Sequence, residues 1–296
     1  MKRFEIGDCF FPLSRKDGLE DDGSNFIETE RRGPVVIIHL NRPEKRNAVN
    51  AKMASQLTRA MDAFLNDDSA HVAVLHGRGG HFCAGADLEE VSQRDPQQLL
   101  PDPESRGTGP MGPSRMVLTK PVIAAVEGFA VAGGMELAMM CDLRIVDHSA
   151  VFGVYCRRFG VPLIDGGTVR LPQLVGFSRA MDLILTGRPC PATEAYNIGL
   201  ANRLVQNGKA LEAAIDLAQQ IAGYPQECMI ADRQSAHHAT FDAKRFFDAV
   251  QFEYYNGSGV INHEAIKGAQ RFMEGAGKHG SFENLNDSYK KKMSKL

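Results

Sequence analysis

The sequence lacks several features that would place it in other classes of protein. No stretch of the 296 residues approaches 18 consecutive apolar positions, so we expect no transmembrane helix. The net charge is only −2, which gives neither nucleic acid nor an anionic membrane a strong attraction to the chain. The six cysteines form no C-x-x-C pair and no zinc spacing. We therefore expect reduced thiols in an intracellular compartment.

Motifs for several common chemistries are also missing. No Walker-type or dinucleotide-binding glycine motif is present. No histidine has an acid and a nucleophile at motif spacing, so a Ser-His-Asp hydrolase is not supported. RNA binding would require a basic stripe, and the lysines at 290–292 form the only such cluster.

The pattern of apolar residues predicts an α/β layered core. Residues 35–40, 72–75 and 122–126 are short, β-branched or apolar runs that end in glycine or proline, which is typical of strands. Apolar residues between 53 and 65 recur every four positions and predict an amphipathic helix. Strands that alternate with helices indicate an α/β fold. Residues 95–114, with five prolines and three glycines, are predicted to be a surface loop.

We divide the chain into three parts on these patterns. Residues 1–26 are acidic and predicted to be a mobile N-terminal extension, since import signals avoid acidic residues. Residues 27–222 form the predicted core, and residues 223–296 a helical C-terminal region with a polar tail. The division near 223 rests on the helix-breaking run Gly223-Tyr224-Pro225.

Two glycine-rich turns are the strongest candidates for a binding site. The first covers residues 81–88, where Asp87 is a predicted helix cap that Glu90 would complete as a capping box. The small residues before Asp87 would let a ligand approach the backbone, with N–H groups left unpaired. A simple strand-to-helix turn would explain the same residues.

The second turn contains Gly133 and Gly134 and leads into a predicted helix that carries Glu136. A helix N-terminus presents free N–H donors and the positive end of the helix dipole. If both turns meet at one point, their N–H groups would form an oxyanion hole worth about 3–4 kcal/mol per donor in the transition state. Glu136 is then either a general base or a carboxylate that merely caps the helix dipole.

These turns, together with residues 40–49, 120–126, 166–172 and 185–187, resemble the crotonase (enoyl-CoA hydratase/isomerase) superfamily in order and spacing. The resemblance covers roughly residues 27–225. It implies a spiral of ββα units with a C-terminal helical trimerisation region. It also implies that coenzyme A is part of the substrate, without a separate cofactor or a metal.

The resemblance also implies roles for particular residues. Ala84 and Gly133 would supply the two oxyanion N–H groups, and Glu136 would be the first catalytic glutamate. Seven residues would contact coenzyme A: Lys45, Asn47, Ala48, Ala84, Ala86, Asp87 and Leu88.

One departure from the family pattern concerns the second catalytic acid. A hydratase of this family has its second glutamate 20 residues after the first, where this chain has Cys156. Cys156 is either a buried, inert thiol or a weak substitute whose pKa Arg157 or Arg158 would lower. The nearest carboxylate is Asp165, which is either a relocated second acid or an ordinary turn residue before two glycines.

We therefore predict an enoyl-CoA hydratase-like lyase that stabilises a thioester enolate during hydration of a 2-enoyl-CoA in fatty-acid oxidation. The alternatives are an enoyl- or dienoyl-CoA isomerase, a CoA-ester hydrolase or decarboxylase, and a catalytically weakened CoA-ester-binding protein. The expected partners are an acyl-CoA thioester and further copies of the chain, as a homotrimer or hexamer. Neither nucleic acid nor a membrane is expected as a partner.

The last three residues match a targeting signal, although the match could also be a coincidence. Ser294-Lys295-Leu296 is the tripeptide that the peroxisomal import receptor reads. We therefore predict a peroxisomal location in a eukaryote. In a bacterium the tripeptide would have no such meaning, and the predicted location is the cytoplasm.

Overall fold

A computed structural model describes residues 23–93 and 107–278. Most of the predicted N-terminal extension and the tripeptide Ser294-Lys295-Leu296 lie outside these residues, so both stay predictions. Residues 24–26 are already packed, since the Phe26 N–H donates to Gln56 Oε1 at 2.8 Å. Within the described ranges, no helix combines the length and the apolar character needed to cross a membrane.

Six strands form the main sheet in the order β1-β2-β3-β4-β6-β9, and three more form a small second sheet in the order β5-β7-β8. In the main sheet β1 is antiparallel to β2 and all other neighbours are parallel. The bounds are β1 Ile27–Arg32, β2 Val35–Leu40, β3 Val72–Gly77, β4 Val122–Val126, β5 Phe129–Val131, β6 Leu143–Asp147, β7 Val151–Gly153, β8 Cys190–Pro191 and β9 Arg203–Val205.

Helices alternate with these strands and then dominate the C-terminal part. Their bounds are α1 Ala51–Asn66, α2 Leu88–Gln93, α3 Gly133–Met140, α4 Gly167–Val175, α5 Phe177–Thr186, α6 Ala192–Asn197, α7 Ala210–Ala222, α8 Gln226–Phe241, α9 Phe246–Ser258 and α10 Ile266–Met273. The three strands and the amphipathic helix predicted from the sequence are confirmed as β2, β3, β4 and α1.

The main sheet is buried on both faces. On one face Ile38 and Leu40 pack into a large core with α1 and α3, and on the other Val35 and Ile37 pack against α7. Parallel strands that are covered on both faces are expected to be apolar along their whole length, and the sequences of β2, β3 and β4 are largely apolar. The strand ends that carry the two glycine-rich turns are thereby held in a rigid frame.

The capping box predicted for α2 is half right. Asp87 Oδ1 accepts a hydrogen bond from the Glu89 N–H at 3.1 Å, as a helix cap does. The Asp87 N–H, however, donates to Val49 O. Glu90 instead accepts from the Ala51 N–H at 2.9 Å, at the start of α1. The carboxylate therefore joins two helices, a contact that local spacing does not reveal.

The C-terminal helices are joined to the core by a partly buried ion pair. Arg233 of α8 contacts Asp142 at 2.9 Å and also donates to Leu118 O. The predicted break is present, because α7 ends at Ala222 and α8 begins at Gln226. The division into separate domains stays a prediction.

Two neighbouring strands bring His39 and His76 together inside the protein, with their Nδ1 atoms 3.1 Å apart. Burial lowers the pKa of both rings, that of His76 to about 4. His39 Nε2 is buried and has no hydrogen-bond partner among the described residues. Both rings are therefore neutral at pH 7, because burial outweighs the attraction of Glu30 Oε2, which lies 3.8 Å from His39 Nε2.

We expect this pair to make the protein sensitive to mild acid. An unfolded histidine titrates near 6.5, so between pH 6.5 and 4 the unfolded state binds more protons than the folded state. The free energy of unfolding is therefore highest above pH 6.5. It falls by about 3 kcal/mol as the pH drops toward 4, because only the unfolded state takes up the proton on His76. Urea unfolding at several pH values should show this slope. His76→Asn should flatten it, whereas exposed His263→Gln should not; an unchanged slope in His76→Asn would contradict the assignment.

Candidate active site

The two glycine-rich turns lie side by side at the ends of β3 and β4. The Phe82 N–H donates to Glu127 O at 2.8 Å, and the Val131 N–H donates to Cys83 O at 3.0 Å. A Cβ atom on Gly134 would lie only 2.1 Å from Cys83 O, so only glycine lets α3 approach the first turn this closely. The convergence predicted for the turns is therefore present.

The first turn contains two alanines, and only one of them has a free N–H. The Ala84 N–H donates to Arg46 O at 3.0 Å. Within the described residues the Ala86 N–H has no acceptor, although Gly85 and Asp87 on either side both pair with Val49. The Ala84 N–H, which we predicted as an oxyanion donor, is therefore already occupied, and the unpaired N–H of this turn belongs to Ala86. Spacing could not distinguish them, because the decisive hydrogen bond comes from a distant segment.

The second turn supplies the other donor. Gly133 is the first residue of α3, so its N–H has no acceptor within the helix. A Cβ on Gly85 would lie 3.2 Å from Gly133 N, which places the two turns in direct contact. The preceding residue, Ala132, has φ 52° and ψ −126°, a conformation that is costly for a residue with a side chain. This strained turn gives α3 its starting direction.

Glu136 lies in the first turn of α3 and is only 2% exposed. Its Oε1 atom accepts hydrogen bonds from the N–H groups of Asp165 at 3.0 Å and Gly167 at 2.7 Å. Its Oε2 atom has no hydrogen bond to any described residue. Burial, followed by the neighbouring charge of Asp165, raises the pKa of Glu136 to about 7. A carboxyl with this pKa can exchange protons at neutral pH.

Asp165 lies beside Glu136 and is 4% exposed. Its Oδ1 atom accepts from the Met111 N–H at 3.0 Å and from the Ser114 hydroxyl. Its Oδ2 atom has no hydrogen bond within the described part of the chain. Burial raises the pKa of Asp165, while the hydrogen bond from Ser114 acts in the opposite direction. The site therefore contains two buried carboxylates, each with one oxygen fixed and one available.

A family model described as "Enoyl-CoA hydratase/isomerase" matches residues 30–281, most of the chain. The chain belongs to this family. The predicted crotonase fold, with its helical C-terminal region, is confirmed by solved structures of the same family.

Two relatives and one solved structure illustrate how similar this family member is to others. An enoyl-CoA hydratase of Mycobacterium tuberculosis is 40% identical over 200 residues, which cover 65% of this chain and 73% of the relative. A probable mitochondrial enoyl-CoA hydratase of Dictyostelium discoideum is 33% identical over 249 residues, 83% of this chain and 87% of the relative. A crystal structure of an enoyl-CoA hydratase from Mycobacterium tuberculosis has a TM-score of 0.77 and is 35% identical in sequence. The match covers 84% of this chain and 96% of that one.

The structure places Cys156 in a 3-10 turn, residues 155–159, and buries its side chain while the three residues that follow it are exposed. Burial raises the pKa of this thiol, and the charge of Glu136 raises it further. Arg157 donates to Ile184 O at 3.2 Å, and Arg158 donates to Gly187 O at 2.8 Å. Each arginine thus donates to one backbone carbonyl, and the charge of Arg157 lowers the pKa of Cys156 less than burial and Glu136 raise it. The thiol stays protonated at neutral pH and lacks the character of an acid–base group.

The residues predicted to contact coenzyme A fall into two groups. Residues 45–49 do lie against residues 84–88, since the Val49 N–H donates to Gly85 O at 2.8 Å. The side chain of Asn47, however, is fully buried and hydrogen-bonds Arg42, Arg78 and His81. Asp87 likewise pairs with Arg42 at 2.6 Å. These two side chains therefore fix the shape of the turns.

The remaining predicted contacts are placed differently. Lys45 is exposed and pairs with Glu89 at 2.9 Å, and Leu88 is 46% exposed. Ala48 is half-buried and its carbonyl oxygen accepts from Arg42 at 2.9 Å. Lys45 and Leu88 are thus the exposed side chains of the predicted set, whereas Ala48, Ala84 and Ala86 are half-buried.

Sequence reasoning missed the segment that holds Asp165. Residues 95–114 are predicted to be a surface loop. Residues 95–106 lie outside the described ranges, but in the described remainder Met111, Pro113 and Ser114 are buried. The side chain of Met111 packs against Gly133, where a Cβ would lie 2.5 Å from its sulfur. The signal in the sequence is Met111, a large apolar side chain among glycines and prolines, which indicates that this part of the loop is buried.

Proposed function

We propose that the protein hydrates 2-enoyl-CoA thioesters, with Glu136 and Asp165 as the proton carriers and the N–H groups of Ala86 and Gly133 as the oxyanion hole. The observation that carries this proposal is the pair of buried carboxylates, each with one free oxygen, next to two unpaired N–H donors. Relatives named enoyl-CoA hydratase support the choice of reaction.

The two N–H groups would act on the thioester oxygen. When a nucleophile adds to the β-carbon, negative charge moves onto this oxygen and an enolate forms. Donors that are already in place stabilise that charge without reorganisation, and each contributes about 3–4 kcal/mol. Gly133 adds the positive end of the α3 dipole, which acts in the same direction.

The two carboxyl groups would move the protons. Two neighbouring carboxylates do not ionise together readily, so the pair holds one proton near neutral pH. The ionised member takes a proton from water as the hydroxide oxygen bonds to the β-carbon. The protonated member gives its proton to the α-carbon as the enolate collapses. One water is consumed, and the product is a 3-hydroxyacyl-CoA.

This proposal is tested by offering the purified protein 2-enoyl-CoA esters of short, medium and long chain. Hydration removes the conjugated double bond, so the absorbance of the enoyl thioester should disappear. A protein that leaves every chain length unchanged would contradict the proposal. Release of free CoA thiol or CO₂ would instead indicate hydrolysis or decarboxylation, and a shifted double bond would indicate isomerisation.

We also propose that the protein forms a homotrimer or a pair of trimers. The C-terminal helices α9 and α10 expose large apolar side chains, which supports an interface there: Phe246, Phe247, Tyr254, Phe272 and Met273. Light scattering should give at least three times the 32.4 kDa of one chain. Charged substitution of Phe246, which is 85% exposed, together with Phe247 should lower this mass, and a monomeric wild-type protein would contradict the proposal.

A further inference from the structure

The segment formed by residues 109–118 connects to the active site through Ser114, whose side chain is completely buried. The Ser114 hydroxyl donates to Asp165 Oδ1, the same atom that the Met111 N–H contacts at 3.0 Å. Two donors converging on one oxygen fix the orientation of the carboxyl group. The other oxygen, Oδ2, is thereby the one left for a reacting group.

Arg170 of α4 ties the backbone of this segment to the backbone of Asp165. It donates to Asp165 O at 2.9 Å and to Ser114 O at 2.8 Å. One rigid guanidinium therefore bridges the two residues whose side chains also meet. Gly109 leaves the room this arrangement needs, because a Cβ there would lie 2.4 Å from Asp165 Oδ1.

We propose that Ser114 is the positioning residue of the second catalytic carboxyl: its hydroxyl holds Asp165 Oδ1 so that Oδ2 faces the reacting atoms, and Arg170 holds the two backbones in register. This inference rests on the proposed function, since it assigns a role to Ser114 through Asp165. Ser114 itself does not touch the substrate.

The same contact sets how readily Asp165 loses its proton. The hydroxyl donates to the carboxyl, a bond that is stronger when the carboxyl is ionised. The Ser114 hydrogen bond accordingly lowers the pKa of Asp165, against the effect of burial. The other titratable or charged groups that act electrostatically with Asp165 come from several elements: Glu136, Arg115, Arg170 and the buried thiol of Cys83.

The test is Ser114→Ala in the full-length protein, followed by kcat, KM and the pH profile of hydration. A hydrogen bond to a charged group is worth enough to lower kcat roughly tenfold or more and to move the acidic limb about one pH unit upward. KM should change little. Ser114→Thr keeps a hydroxyl and should retain the wild-type profile. The matched control is Ser235→Ala, which removes a buried hydroxyl bonded to Ala231 O within α8.

Two further variants separate the role of Ser114 from the role of Asp165. Asp165→Asn should be inactive, and adding Ser114→Ala to it should cause no further loss, because both act on one carboxyl. If Ser114→Ala does not fold, Ser114→Cys, whose thiol is a weaker donor than the hydroxyl, should show a smaller upward shift of the acidic limb. A wild-type pH profile in Ser114→Ala, with Asp165→Asn inactive, would overturn the role of Ser114 alone. Full activity in Asp165→Asn would overturn the proposed function of Asp165 itself.

Discussion

Replacing Glu136 with Gln is expected to reduce kcat for enoyl-CoA hydration by roughly 10²- to 10⁴-fold, the usual contribution of one acid–base group. The amide keeps an oxygen that can accept from the Asp165 and Gly167 N–H groups, so the fold should survive. It cannot exchange a proton at the position of Oε2. Activity should be measured by enoyl-thioester absorbance, and folding by thermal unfolding.

A matched control for this variant is Glu127→Gln. Glu127 is a half-buried carboxylate at the end of β4, nine positions before Glu136, and burial raises its pKa as well. It has no place in the proposed mechanism, so the variant should hydrate enoyl-CoA as the wild type does. If Glu136→Gln retained full activity in a folded protein, Glu136 would not be a proton carrier.

The second large effect is expected from Asp165→Asn compared with Cys156→Ser. Asparagine can still accept from the Met111 N–H and the Ser114 hydroxyl, but the proton-exchanging Oδ2 is gone. We expect roughly 10²- to 10⁴-fold lower kcat. Cys156→Ser replaces a buried, protonated thiol and should cost less than about tenfold, through packing alone.

The comparison decides which position carries the second acid. Cys156 occupies the position at which the family pattern has a glutamate, whereas Asp165 lies nine residues later. If Cys156→Ser were the more damaging change, the thiol would be the second proton carrier and the pair proposed here would be wrong. Equal tolerance of both changes would leave Glu136 as the single carrier.

Much of the fold followed from local patterns. Strands β2, β3 and β4 are apolar runs that end in turn residues, and α1 has a clear apolar stripe. These features depend on residues close together in the chain, which is why the pattern of side chains reveals them. The position of Glu136 in the first turn of α3 could be predicted in the same way, whereas its role as a proton carrier came from the family resemblance.

The parts that sequence did not predict depend on contacts between distant residues. Ala84 and Ala86 look equivalent until Arg46, 38 positions before Ala84, takes one of the two N–H groups. The same holds for Asp165, whose orientation is set by Ser114, 51 positions earlier. No local spacing encodes such pairs, so the occupied N–H of Ala84 and the hydrogen bond that supports Asp165 needed the folded chain.

The most direct measurement is product analysis after incubation with a 2-enoyl-CoA in water labelled with oxygen-18. If the Glu136–Asp165 pair adds water across the double bond, the product is a 3-hydroxyacyl-CoA that gains one labelled water in mass. The label should reside in the acyl group, at the 3-hydroxyl, and Asp165→Asn should give almost none. Unchanged substrate, free coenzyme A, or an isomer of unchanged mass would contradict the proposed reaction.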